Sequence, residues 1–121
     1  MHELSIIASV VESVTESLSG YPGARALEVR LRVGILASVI EDSLQFCYGI
    51  ATDETPLEGS RLVVNVVPVT VYCAACGAEG PIENLQSFRC PSCGEPAGDV
   101  RHGRELEIEA IEIEDPEEVK P

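Results

Sequence analysis

Two cysteine pairs constrain this chain more than any other feature of it. Cys73 and Cys76 bound "CAAC", Cys90 and Cys93 bound "CPSC", and thirteen residues separate the pairs. A CxxC turn sets two thiolates on one side of a tight loop, close enough to share one ion. Two such turns supply a tetrahedral sulfur shell, the arrangement that suits Zn(II). Gly77 and Gly94 follow the pairs at equivalent positions and ease the backbone around a metal. The section holds few large apolar side chains (Ile82, Leu85 and Phe88). It is therefore expected to lack a core of its own and to depend on ligation, about 10–16 kcal/mol in small zinc peptides. A redox dithiol or an iron–sulfur centre are the alternatives, and the spacing favours structural zinc. Four thiolates leave no open coordination position, so catalysis at this metal is not expected.

Charge narrows the partners. With 21 acidic against 8 basic residues the net charge is −13. Such a chain repels phosphate backbones, so nucleic acid is not an expected partner. Arg89 and Arg101 in the cysteine section are outweighed by Glu79, Glu83, Glu95 and Asp99. No apolar run approaches the roughly 20 residues of a membrane span. The start has no basic n-region, apolar stretch or cleavage site, so a cytoplasmic location is expected, and there four cysteines hold a metal more readily than disulfides.

Periodicity predicts the elements. Leu4, Ile7, Ala8, Val11, Val14 and Leu18 recur at helical spacing, and "SGYPG" ends that helix, with Gly20 suited to the cap. "RALEVRLRVG" alternates as a half-buried strand, with Leu27, Val29, Leu31 and Val33 inward and Glu28, Arg30 and Arg32 outward. Ser38 and Glu41 form a capping-box pattern for a second helix whose inward stripe is Ile40, Leu44, Cys47 and Tyr48. "RLVVNVVPVTVY" reads as one strand, Pro68 marking a bulge or an edge. "RELEIEAIEIE" is a last strand with Leu106, Ile108, Ile111 and Ile113 inward and a bulge at Ala110; "DPEEVKP" is a charged tail. The expected fold is α+β: two helices packed on a three-stranded antiparallel sheet, with an inserted four-cysteine, zinc-ribbon-like lobe. The division follows: 1–70 an α+β domain, 71–103 the zinc lobe, and 104–121 the last strand of the α+β domain with its acidic tail.

One of only two histidines stands second, in "MHELSI". A free α-amine, the intervening amide nitrogen and the imidazole form fused chelate rings around one ion. A further backbone nitrogen completes a square plane, which suits Ni(II) or Cu(II) and suits Zn(II) poorly. A bulky second residue also favours retention of the initiator Met. On these residues alone, a solvated chain end is the weightier reading. Glu3 has two roles open to it: a contact with a partner or the metal's outer shell, or a carboxylate favoured by the helix dipole. Cys47 reads as a small core residue, His102 as a surface histidine, and Glu105, Glu107, Glu109, Glu112 and Glu114 as a solvated acidic face. No Ser/His/Asp or Cys/His constellation is present, so an enzyme is not expected.

"MHELSI" before a Val/Ile-rich helix, "LEVRLRVG", "LQFCYGIATDETPLEGSRL", the paired CxxC section and the closing "GRELEIEAIEIE" together resemble the HypA family, the hydrogenase nickel-incorporation proteins. The resemblance covers nearly the whole chain. It implies a metallochaperone that carries Ni(II) as transient cargo at the N-terminal segment, which maps to Met1, His2 and Glu3. It implies structural Zn(II) on Cys73, Cys76, Cys90 and Cys93. It further implies work with the GTPase HypB to deliver nickel to the large subunit of NiFe hydrogenase. The wide apolar surface of the first helix leaves both a monomer and a domain-swapped dimer open. A zinc-ribbon interaction adaptor without a nickel role is the alternative.

Overall fold

The computed structural model describes residues 3–82 and 84–116. In chain order these form helix α1 (Glu3–Leu18), strand β1 (Arg25–Gly34), a 3-10 turn (Ile35–Ala37) and helix α2 (Glu41–Ala51). Strands β2 (Arg61–Val67), β3 (Thr70–Tyr72), β4 (Glu79–Pro81), β5 (Asp99–His102) and β6 (Leu106–Glu114) follow. No helix among the described residues is long and apolar enough to cross a membrane.

The chain forms two compact units. The first draws on Met1–Leu31, Val39–Asn65 and Glu107–Pro121, and the second on Arg32–Ser38 and Val66–Leu106. Among the described residues six strands make two three-stranded sheets, ordered β2-β1-β6 and β4-β3-β5. The sheet β2-β1-β6, in a chain with two helices and a four-cysteine lobe, is the expected three-stranded one; the second sheet is not expected, because the sequence reads residues 61–72 as one strand. Pro68 lacks an N–H to continue a ladder, and the run breaks there into an edge strand of one sheet and the central strand of the other.

In the first unit α1 buries Ile7, Val10, Val14 and Leu18. The stripe is turned from the expected one: Leu4 and Ala8 are exposed and Val10 takes the inward place. The helix ends on Tyr21 N–H donating to the Leu18 carbonyl at 2.9 Å, and the left-handed residue of the turn is Gly23, not Gly20. On β1, Val29, Leu31 and Val33 are buried as the alternation requires, while Leu27 is exposed. Glu28 corrects the outward assignment. It is buried because Arg30 Nε and Arg61 Nη2 cover its carboxylate, at 2.6 and 3.0 Å. Both guanidiniums hold its carboxyl below the usual range, Arg30 most of all.

Helix α2 buries Leu44 and Tyr48, but Ile40 lies exposed and Cys47 is only partly covered. The capping box does not form. Ile40, not Ser38, is the N-cap, and it makes no side-chain cap bond. Ser38 instead adopts a left-handed conformation that closes the preceding 3-10 turn. Along β6 the half-buried positions are Ile108, Ile111 and Ile113, so the inward phase shifts across Glu109 and Ala110; Leu106 is exposed.

The second unit has a small core, contrary to expectation. Val69, Val71, Cys73, Cys90 and Ala97 are buried together, with Leu36, Ala78, Ile82, Phe88 and Val100 packed against them. Strands β3 and β4 pair antiparallel from Thr70 opposite Pro81 to Tyr72 opposite Glu79, and β3 and β5 pair antiparallel with a register shift between Thr70 and Val71. At the top of the unit Gly34 lies so close to Gly103 that a Cβ there would fall 2.1 Å from the Gly103 carbonyl. That approach lets Leu36 N–H reach the Gly103 oxygen at 2.7 Å.

Candidate metal centre

The two CxxC segments fold as copies of one knuckle. Gly77 N–H donates to the Cys73 carbonyl at 2.7 Å and Gly94 N–H to that of Cys90 at 2.9 Å. Cys73 N–H donates to the Ala78 carbonyl and Cys90 N–H to that of Glu95, at 2.9 and 2.8 Å. Gly77 and Gly94 have φ of 75° and 78°, a left-handed conformation that glycine adopts without strain. The chain thus turns back and aims both thiols of each pair the same way. Strand β3 delivers the first knuckle, and the bridge between Arg89 and Pro96 clamps the second.

All four Sγ atoms lie within 4.8 Å of one another. Cys73 faces Cys93 at 3.6 Å and Cys76 faces Cys90 at 3.6 Å. A disulfide needs about 2.05 Å. Tetrahedral zinc with bonds of about 2.3 Å has sulfur–sulfur edges of about 3.8 Å, and the observed pairs fit that cage. Cys73 and Cys90 are buried, whereas Cys76 and Cys93 reach the surface.

The electrostatics of the thiols differ from one to the next. Cys93 N–H and then Ser92 N–H, at 3.4 and 3.3 Å from Cys90 Sγ, draw its thiol down to about 6. At Cys93 a Glu95 N–H acts in the same direction. Burial and hydrogen bonds to the other three thiols outweigh it and push the group up to about 12. Cys76 also rises: the Ala78 N–H lowers it, but the Cys90 contact, burial and Cys73 prevail. Four clustered sulfurs cannot all carry charge unaided, and a divalent ion removes the conflict. The N–H donors from Ala78, Ser92 and Glu95 were missed by sequence reasoning. The glycine after each pair is the signal that could have found the turns presenting them.

The remaining predicted site residues are described separately. Met1 and His2 lie outside the described residues. Glu3 opens α1, and its Oε2 accepts a hydrogen bond from Ile40 N–H at 3.3 Å. His102 ends β5 and pairs with Glu105, Nδ1 to Oε2 at 3.0 Å. Glu105 therefore does not join the solvated row on β6. Its carboxyl is held down to about 2, chiefly by the Gly103 N–H at 2.7 Å, then by its own N–H and His102. Among the described residues the cysteine quartet is the metal-capable cluster of three or more ligating side chains.

Comparison with known proteins agrees over almost the full length. The family model for "Hydrogenase/urease nickel incorporation, metallochaperone, hypA" matches residues 1–113. A Hydrogenase maturation factor HypA from Chloroflexus aurantiacus is 44% identical over 112 residues, covering 93% of this chain and 98% of that protein. Another from Geobacter metallireducens is 41% identical over 114 residues, covering 94% of this chain and all of that one. In fold, the solution structure of the Ni metallochaperone HypA from Helicobacter pylori aligns with a TM-score of 0.62 at 17% identity, covering 93% and 97% of the two chains. A second solution structure of a HypA protein aligns at 0.71 and 16% identity, covering 94% and 97%. The paired knuckles, the helix-and-sheet unit around β1 and a match from the first residue to the last strand place this chain in the HypA family of nickel-incorporation metallochaperones.

Proposed function

We propose that this protein binds Ni(II) at its N-terminal segment and hands it on during maturation of NiFe hydrogenase. His2 is the side-chain ligand. The Met1 amine and the backbone nitrogens of His2 and Glu3 complete a nitrogen plane. The observation that carries the reading is a family match beginning at residue 1, so that Met-His-Glu lies within the matched region. Donors at a chain end exchange one at a time, so a receiving protein can take the ion without unfolding the carrier. The receiver is the large subunit of the hydrogenase, and the GTPase HypB works with this protein in the cytoplasm. Residues 1–70 and the last strand handle nickel; residues 71–103 form the zinc lobe. Zn(II) on Cys73, Cys76, Cys90 and Cys93 is structural, because four sulfurs close its shell. Glu3 has a positioning role: its bond to Ile40 N–H ties the start of α1 to the start of α2.

The test is a Ni(II) titration, followed calorimetrically, of untagged protein, of His2→Ala and of a form carrying one extra residue before Met1. Binding by the first and loss in both others supports the proposal. Equal binding by all three overturns it and favours a zinc-ribbon adaptor.

A further inference from the structure

Helix α2 presents a second apolar face, turned away from the core. While Leu44 and Tyr48 are buried, Phe46 is 71% exposed and Ile50 60%. These two stand at i and i+4, so their side chains are neighbours on one surface. Single exposed apolar residues are ordinary, but this pair flanks an unusual third position. Gly49 sits exposed in the interior of the helix, where glycine weakens it. A Cβ at Gly49 would meet nothing within 4 Å, so no packing among the described residues calls for its absence. The glycine leaves a notch beside Phe46 and Ile50, open to a surface arriving from outside. The edge is acidic: Asp42, one turn before Phe46, and Asp53, three residues after Ile50, are both exposed, and α2 contains no Lys or Arg.

We propose that Phe46, Gly49 and Ile50, edged by Asp42 and Asp53, form a docking surface for an apolar segment of a partner protein flanked by Lys or Arg. The proposal rests on the metallochaperone reading, which requires a partner, and adds where that partner sits and what chemistry it offers. A second copy of this chain fits poorly. A two-fold contact would set the same acidic edge against itself in a chain of net charge −13.

The probe is purified HypB from the same organism, with binding followed by fluorescence anisotropy at low and high salt. Each variant is also titrated with Ni(II) and melted, which separates docking from cargo and from folding. Phe46→Ser and Ile50→Ser are expected to weaken HypB binding by about tenfold or more. Asp42→Lys is expected to weaken it about threefold at low salt, with the effect fading at high salt. Gly49→Gln should raise the melting temperature by restoring helix propensity, yet weaken docking by filling the notch. Nickel affinity should stay at the wild-type value throughout. HypB binding unchanged in Phe46→Ser and Ile50→Ser overturns the docking surface and leaves the nickel reading standing. So does a wild-type dimer that Phe46→Ser converts to monomer. Wild-type protein that takes nickel but does not bind HypB overturns the docking surface together with that partner; loss of nickel binding by the wild type overturns the nickel reading itself.

Discussion

Stripping the metal from the cysteine quartet should unfold the second unit and leave the first intact. The magnitudes decide this. Of the five residues buried at the centre of the second unit, two are the cysteines Cys73 and Cys90 themselves, leaving Val69, Val71 and Ala97 as aliphatic core. Burial of a valine side chain stabilises by about 2 kcal/mol and alanine by less, so these three contribute about 5 kcal/mol, and the partly buried Leu36, Ala78, Ile82, Phe88 and Val100 add about 4 kcal/mol. A structural tetrathiolate zinc contributes about 10–16 kcal/mol. The metal outweighs the core, and without it the thiols drawn together at 3.6 Å have nothing to hold them there. The first unit loses nothing comparable, because its core is aliphatic: Ile7, Val14, Val29, Leu31, Leu44 and Leu57 are all fully buried, and none of them can ligate a metal. The assay is amide hydrogen exchange by NMR before and after a strong chelator. The Cys73, Cys90 and Ala97 amides, bonded at 2.8–2.9 Å to the Ala78, Glu95 and Phe88 carbonyls, should lose protection. Those of Val10 and Leu44 should keep it, and added Zn(II) should restore the first set. Undiminished protection at Cys73, Cys90 and Ala97 in metal-free protein would refute the reasoning.

Leu44→Ala empties a fully buried position under α2 and should cost about 3 kcal/mol in denaturant unfolding of the first unit. Gly34→Ala drives a Cβ against the Gly103 backbone, with neither chain segment free to yield, and should destabilise the second unit by about 3 kcal/mol. Glu28 titrates below its ordinary 4.5 when folded, so its contribution is complete above that pH and is lost as pH falls through the depressed value. Glu28→Gln should therefore flatten the decline of melting temperature in acid. With the proposed donor set, nickel affinity should fall as pH drops below about 8, because the Met1 amine would have to shed its proton to ligate; pH-independent binding between about 6 and 9 would point to other donors.

What the sequence revealed and what it hid divide along local and non-local lines. The bounds of β1 are those of its alternating run, Arg25–Gly34, because period-two patterning is a local signal. The cysteine cage was legible for the same reason: two turns of fixed length carry their own geometry. The split at Pro68 was half visible. Proline announces a break, but no local rule says that its two sides enter different sheets. Glu28 and Leu27 came out reversed because Arg61, thirty-three residues away, covers a carboxylate that alternation assigns to solvent. Ser38 and Glu41 matched a capping box by spacing, yet the 3-10 turn before α2 uses Ser38 for its own closure. Phe46 was not singled out. An exposed aromatic beside a buried tyrosine looks like core until the face of the helix is known. The role of Glu3 was left open at the sequence level, and its contact is also non-local, reaching Ile40 across thirty-seven positions.

The central claim is that two metals occupy two chemically distinct places: nickel on nitrogen at the chain start, zinc on sulfur in the knuckles. X-ray absorption at both metal edges, on untagged protein loaded with one equivalent of each ion, tests it directly. A nickel spectrum fitted by nitrogen and oxygen donors alone, beside a zinc spectrum fitted by four sulfurs, is the predicted result. Sulfur in the nickel shell, with zinc short of four, would contradict it.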